Sequence, residues 1–178
     1  MTGDLTHLDE QGRARMVDIT GKPVTLRRAL ARCRVVGVAD ALAGDGEDPM
    51  GTARLAGIMG GKLTSDLVPL CHPLPLTEID VSVALDGDDV AVEATAETVS
   101  RTGVEMEALT ACALAALSVV RHVIAERPEA RIDELTLWTK TGGRSGGWRR
   151  VAAGPAGMRP ADGSGPREPA NAPARTPR

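Results

Sequence analysis

Two glutamates separated by one residue, Glu105 and Glu107, open the stretch Arg101–Leu117, RTGVEMEALTACALAAL, where a polar start runs into a small-residue, apolar continuation. Positioned carboxylates are standard equipment for general acid–base chemistry. On a regular helix, however, residues two apart point roughly 200° away from each other, so the pair addresses one site only if the first turn is irregular. Thr102 with Glu105 three residues on has capping-box spacing. Spacing alone therefore makes Glu105 a helix cap and Glu107 a solvated acid near the positive end of the helix dipole. Two further stretches carry chemistry. Cys71-His72 lies within LVPLCHPLPL, and Lys140-Thr-Gly-Gly-Arg144-Ser-Gly-Gly147 is a glycine-rich run flanked by cations. Consecutive backbone N–H groups in such a run form an anion-binding concavity, or else the run is only a flexible exit from the last strand.

Composition removes several function classes. A net charge of −3, no Tyr, no Phe and only Trp138 and Trp148 leave neither a basic surface nor a stacking platform for nucleic acid. Three cysteines, Cys33, Cys71 and Cys112, with no CxxC spacing, read as buried thiols of a reducing compartment. His7, His72 and His122 add no metal-ligand spacing, so no metal and no cofactor are expected. No apolar run approaches a membrane span and Met1–Gly12 lacks a signal layout, which places the protein in the cytoplasm with no membrane partner.

The elements that must position these residues follow from periodicity. Residues 1–150 form a single domain, whereas 151–178 carry half of the twelve prolines and almost no large apolar residue and read as a disordered tail. Ala31, Cys33 and Val35 alternate with Arg32 and Arg34, the pattern of a strand buried on one side. A short helix over Val38–Leu42, a loop over Gly44–Gly51 and a helix over Thr52–Lys62 with Leu55, Ile58 and Met59 on one face come next. The glycines of that helix imply close packing or a mobile element. Prolines 69, 73 and 75 keep Leu67–Leu76 extended and exclude a central strand. Ile79–Leu85 and Val90–Val99 alternate around an Asp86-Gly87 turn as a hairpin. A long helix then buries Met106, Leu109, Ala113, Leu117, Val120 and Ile124, and Glu134–Lys140 closes as a strand with Leu135 and Leu137 inward. The order predicts an α+β fold: a ferredoxin-like split βαβ sandwich with an antiparallel sheet, helices on one face, and the other face free for a second subunit.

Three blocks, TARLAGIMGGK with DLVPLCHPLPL, RTGVEMEALTA, and KTGGRSG, closely resemble the molybdenum-cofactor biosynthesis protein C family, the cyclic pyranopterin monophosphate synthases. The resemblance covers Leu5 to Trp148. It implies a lyase that converts 3′,8-cyclo-7,8-dihydroguanosine triphosphate to cyclic pyranopterin monophosphate with release of pyrophosphate. It also implies a homohexamer, a trimer of dimers, with sites shared between subunits. By the same resemblance His72, Glu105, Glu107 and Lys140 are catalytic; Leu70, Cys71 and His72 form one wall of the pocket and Met106 with Glu107 another; Lys62, Arg101, Lys140 and Arg144 hold the triphosphate; and Asp18 matches the aspartate of the family's opening.

Departures accompany the resemblance. Where the family has a catalytic lysine before TAR this chain has Gly46, and no lysine or arginine occurs from Val35 to Ala53. The family's catalytic aspartate is here Arg121, and a lysine three residues on is Ile124. Three functions fit this pattern: the ordinary synthase, a divergent paralogue acting on a related purine-derived phosphate, and a non-catalytic nucleotide-binding subunit.

Overall fold

A computed structural model of the protein describes residues 8, 9, 11–42, 47–144 and 146–151. The tail, His7 and Gly46 lie outside them. Strand β1, Thr25–Val36, buries Ala29, Ala31, Cys33 and Val35 completely while Arg28, Arg32 and Arg34 alternate onto the opposite face. It starts six residues before the alternation recognised in sequence, because its first turns lie at an end of the sheet where neither face is dry. Asp40–Leu42 is a single 3₁₀ turn. Helix α1, Pro49–Lys62, starts where the Asp48 side chain accepts from the Gly51 N–H at 2.8 Å, with Pro49 in the first turn, where no N–H is missed. A short helix α2, Thr64–Leu67, leads into the proline-rich loop. Strands β2, Leu76–Asp86, and β3, Asp89–Ser100, form the expected hairpin about Gly87, whose φ of 67° suits a tight turn. Helix α3, Glu105–Val123, and strand β4, Arg131–Thr141, complete the repeat.

The sheet is antiparallel in the order β2-β3-β1-β4, with a short fifth strand β5, Trp148–Arg149, on the β4 edge. Each βαβ unit is split by a strand of the other, which is the ferredoxin-like arrangement. The glycine-rich run therefore does not simply exit: β5 returns the chain, pairing Trp148 with Lys140.

Helix burial departs from the sequence expectation in part: Ile58, Leu109 and Val120 do pack against the core, but the other large residues do not. Leu55 and Met59 on α1, and Met106, Leu117 and Ile124 on or just past α3, point outward; Leu117 is 51% exposed. The buried face of α1 is Ala53, Gly57, Gly60 and Gly61, and that of α3 includes Ala108, Ala111, Cys112, Ala115, Ala116 and Val119. The physical reason is distance. A Cβ on Gly57 would stand 2.9 Å from the Ala111 carbonyl oxygen, and one on Gly60 2.8 Å from Leu114 Cβ. Helices this close leave room only for small side chains, so the glycines serve packing.

Other expectations need correction as well. Leu135 faces outward, since Glu134 has φ 56° and the β1–β4 register slips between Arg32 and Arg34, a bulge that re-aims the strand. Val104, not Thr102, occupies the helix cap, and it makes no side-chain cap bond. Of the thiols, Cys33 and Cys112 are buried with Sγ atoms 3.2 Å apart, while Cys71 is only half-buried. Among the described residues one helix, α3, is long and apolar enough to cross a membrane, contrary to the reading of the sequence. Its small-residue face is packed on its own sheet, as befits a core helix. Finally, the open sheet face is charged: Arg32 Nε donates to Glu93 at 2.6 Å, Arg34 pairs with Asp86 and Asp89, and the Arg32 guanidinium lies 4.6 Å from the Trp138 ring centroid.

Candidate active site

Four segments meet at the start of α3. The loop after α2 supplies Leu70, Cys71 and His72. It is shaped by the Cys71 N–H donating to the Val68 carbonyl at 3.3 Å, by Leu70 at φ 65°, and by Thr98 Oγ1, which donates to the Pro75 carbonyl at 2.6 Å and ties the loop to β3. A bulky residue with positive φ is strained and persists only where its surroundings hold it. Helix α1 ends here too, since a Cβ on Gly61 would sit 3.3 Å from the Glu107 carbonyl oxygen, and exposed Lys62 follows directly.

Glu107 is 4% exposed. Burial pushes its carboxyl up to about 7, and the charge of Glu105 pushes the same way, against partial relief from its own backbone N–H. It is therefore not the solvated acid that spacing suggested; the side of α3's first turn that carries Glu107 faces the protein, not water. Burial raises the Cys71 thiol, and the Glu107 charge adds to this. Glu105, instead of capping the helix, accepts from Lys140 Nζ at 3.1 Å. That pair borders a small pocket between β1, β4 and α3, with Arg27, Arg28 and Gly142 around it. Gly142, at φ 94°, abuts the Leu26 carbonyl oxygen so closely that a side chain there would collide with backbone. A carboxyl raised to about 7 thus lies on the same helix turn as an ion pair that borders a cation-lined recess.

Residues 16–143 match the family model described as the MoaC family. The chain belongs to that family. It is 52% identical over 156 residues to a cyclic pyranopterin monophosphate synthase of Thermomicrobium roseum, an alignment spanning 83% of this chain and 93% of the relative. A protein of the same name from Streptomyces coelicolor is 50% identical over 152 residues, 82% of this chain and 89% of the relative. Another, from Cereibacter sphaeroides, is 50% identical over 150 residues, 80% of this chain and 94% of the relative.

Not every candidate in this MoaC family chain joins the cluster. Arg101 lies next to it in sequence, yet its guanidinium donates to the carbonyls of Thr20, at 3.1 Å, and Lys22, clamping the segment that leads into β1. Asp18 is exposed and accepts from the Thr20 N–H at 2.8 Å; that bond, with Arg15 and Lys22 nearby, holds its carboxyl below the usual range. Met106 is on the outward face of α3, His72 is half-buried and Arg144 is exposed. Arg121 and Ile124 are at the other end of α3, about 21 Å or more along the axis from Glu107. There His122 Nδ1 stands 3.4 Å from a Glu47 carboxylate oxygen. Among the described residues no group of three or more His, Cys, Asp or Glu is arranged to hold a metal.

Arg27 and Arg28 are the residues that reading the sequence passed over. Arg27 donates from Nε to the Ser100 carbonyl and from Nη2 to the Arg101 carbonyl, both at 3.0 Å, while its guanidinium lies against Gly143. The signal was available in the Arg-Arg doublet before Ala29, but a strand taken to begin at Ala31 left both outside any element.

Proposed function

We propose that this protein is a lyase of molybdenum-cofactor biosynthesis, converting 3′,8-cyclo-7,8-dihydroguanosine triphosphate to cyclic pyranopterin monophosphate and pyrophosphate. The observation that carries this reading is 52% identity to a synthase of that name over 93% of the relative's length. The geometry is suited to the chemistry. Glu107, titrating near neutrality, takes up and returns a proton at little cost, and His72 in the loop after α2 is a second candidate proton carrier. Lys62, Lys140 and Arg144 supply cationic donors for a triphosphate, joined by the charges of Arg27 and Arg28, while Arg101 holds the segment leading into β1. Leu70 and Cys71 line the substrate's flank, whereas Met106 points away from it.

The protein works in the cytoplasm, on a small molecule and without nucleic acid, and residues 1–150 act as its one domain. Its assembly is a hexamer of three dimers, which brings the far end of α3 from one subunit toward the Glu107 cluster of another. The outward apolar faces of α1 and α3 favour such contacts more than the ion-paired sheet face does.

A second reading rests on Gly46, Arg121 and Ile124. A guanidinium stays protonated at neutral pH, so Arg121 binds anions but cannot serve as a base. A site so altered would bind nucleotide and turn over slowly, as a divergent paralogue or a non-catalytic subunit. Incubating the purified protein with the cyclic dihydro-GTP substrate, and measuring pyrophosphate and pterin product together, separates the two. Turnover near 1 per second or faster, roughly the range of ordinary enzymes, supports the synthase. Binding without product supports the second reading, and the combined change Gly46→Lys, Arg121→Asp and Ile124→Lys should then raise the rate.

A further inference from the structure

The two glutamates of α3 are in different electrical situations. Glu105 has a counter-ion, with Lys140 Nζ at 3.1 Å, and both side chains remain about one-third exposed. Glu107 is buried, and no ion pair or side-chain hydrogen bond to it occurs among the described residues. The titratable groups that act on it are Glu105 on its own helix and Cys71 from the loop, with Lys140 of β4 acting through Glu105. Lys140 in turn borders the recess that also holds Arg27 and Arg28. An anion entering there competes with the Glu105 carboxylate for the same ammonium group. A polyphosphate at the mouth of the recess carries more negative charge than one carboxylate, and the charges of Arg27 and Arg28 lie beside it.

We propose that Glu105 is a positioning residue gated by Lys140: a polyphosphate anion draws the Lys140 ammonium away from Glu105, and the uncovered Glu105 carboxylate then holds a proton on Glu107. The step forms no covalent bond. Lys140 exchanges one anionic partner for another, and Glu107 takes one proton from solvent. The consequence is order, because the acid is loaded when the triphosphate has arrived and released when pyrophosphate leaves with its charge. The direction agrees with the Glu105 charge already opposing ionisation of Glu107 while partly covered by Lys140. This inference rests on the reading of the cluster as the substrate's site.

The test uses the full-length protein and inorganic tripolyphosphate. Difference infrared spectroscopy of the carboxyl C=O band, assigned through Glu107→Gln, follows protonation of Glu107, and calorimetry follows binding of the anion. In the unaltered protein, saturating tripolyphosphate should raise the proton affinity of Glu107 by about tenfold, one unit in midpoint. Lys140→Met should show the raised midpoint without any anion, Lys140→Arg should restore the gated behaviour, and Glu105→Gln should show a lowered midpoint that the anion scarcely moves. An equal rise in Glu105→Gln would mean that the anion acts on Glu107 directly, and overturns the gate. So does anion binding with no rise, or no anion binding at all. Turnover of the cyclic nucleotide without a midpoint change would remove the gate and leave the lyase reading intact, whereas a gated midpoint in a protein with no turnover would do the opposite.

Discussion

At the scale of single residues, the informative group is a carboxyl kept where it is uncomfortable. Glu107 has a folded-state midpoint near 7 against 4.5 for the free side chain, so the folded state binds its proton more tightly than the unfolded state does. Stability from this group is therefore full below about pH 4.5, falls as pH rises between about 4.5 and 7, and is absent above that window. The linked free energy is about 3 kcal/mol. Glu107→Gln, which keeps the shape and drops the charge, should leave the urea midpoint nearly unchanged at pH 5 and stabilise the protein at pH 8 by about 2–3 kcal/mol at fixed protein concentration. The same change should depress turnover. A variant equally stable, relative to the parent, at both pH values would show that the burial of Glu107 is not felt.

At the scale of elements, the contact between α1 and α3 decides how the site is built, because it brings Lys62 and the Gly61–Glu107 approach to the head of α3. Replacing a helical glycine by alanine ordinarily gains about 1 kcal/mol from helix propensity. At Gly57 the new methyl group meets Ala111 O at 2.9 Å, with Ala115 Cβ and Val81 Cγ1 at 3.0 Å. Overpacking of that kind costs about 1–3 kcal/mol, and a backbone oxygen cannot step aside as a side chain can. Gly57→Ala should thus lose about 1–2 kcal/mol in a urea titration, while Gly21→Ala, with open space around it, should lose nothing measurable. Equal stability of the two variants would mean that the helices separate freely.

At the scale of the whole molecule, several ion pairs lie on the sheet's open face, alongside exposed Leu26 and Val99. The sheet's open face carries the pairs Arg28–Glu97, Arg32–Glu93 and Arg34 with Asp86 and Asp89, whereas Leu55, Met59, Leu117 and Ile124 stand exposed on the helical side. Solvent-facing leucines and methionines repeated along two neighbouring helices mark a contact surface more often than scattered ones do. Light scattering should accordingly report the mass of a hexamer, and the pair of changes Met59→Lys and Leu117→Lys should lower it. A stable monomer at working concentration would remove the assembly and, with it, the bridging of the two ends of α3.

The sequence by itself determined the strand order, the hairpin about Gly87, the exclusion of the proline loop from the sheet interior and the family. Each of these depends on local chemistry, such as alternation, turn residues and missing N–H groups, or on motifs read whole. Which face of a helix is buried was not legible, because apolar spacing reports where large side chains lie and not how near the next helix comes. Leu55 and Met59 of α1 and Met106 and Leu117 of α3 mark the outside of this protein, and where the two helices touch, glycines and alanines mark the inside. Only the tertiary structure could turn Glu107 from a solvated acid into a buried one and Glu105 from a cap into the partner of Lys140. Both outcomes depend on groups far away in the chain, since burial and Coulomb interactions act through space and leave no trace in local spacing.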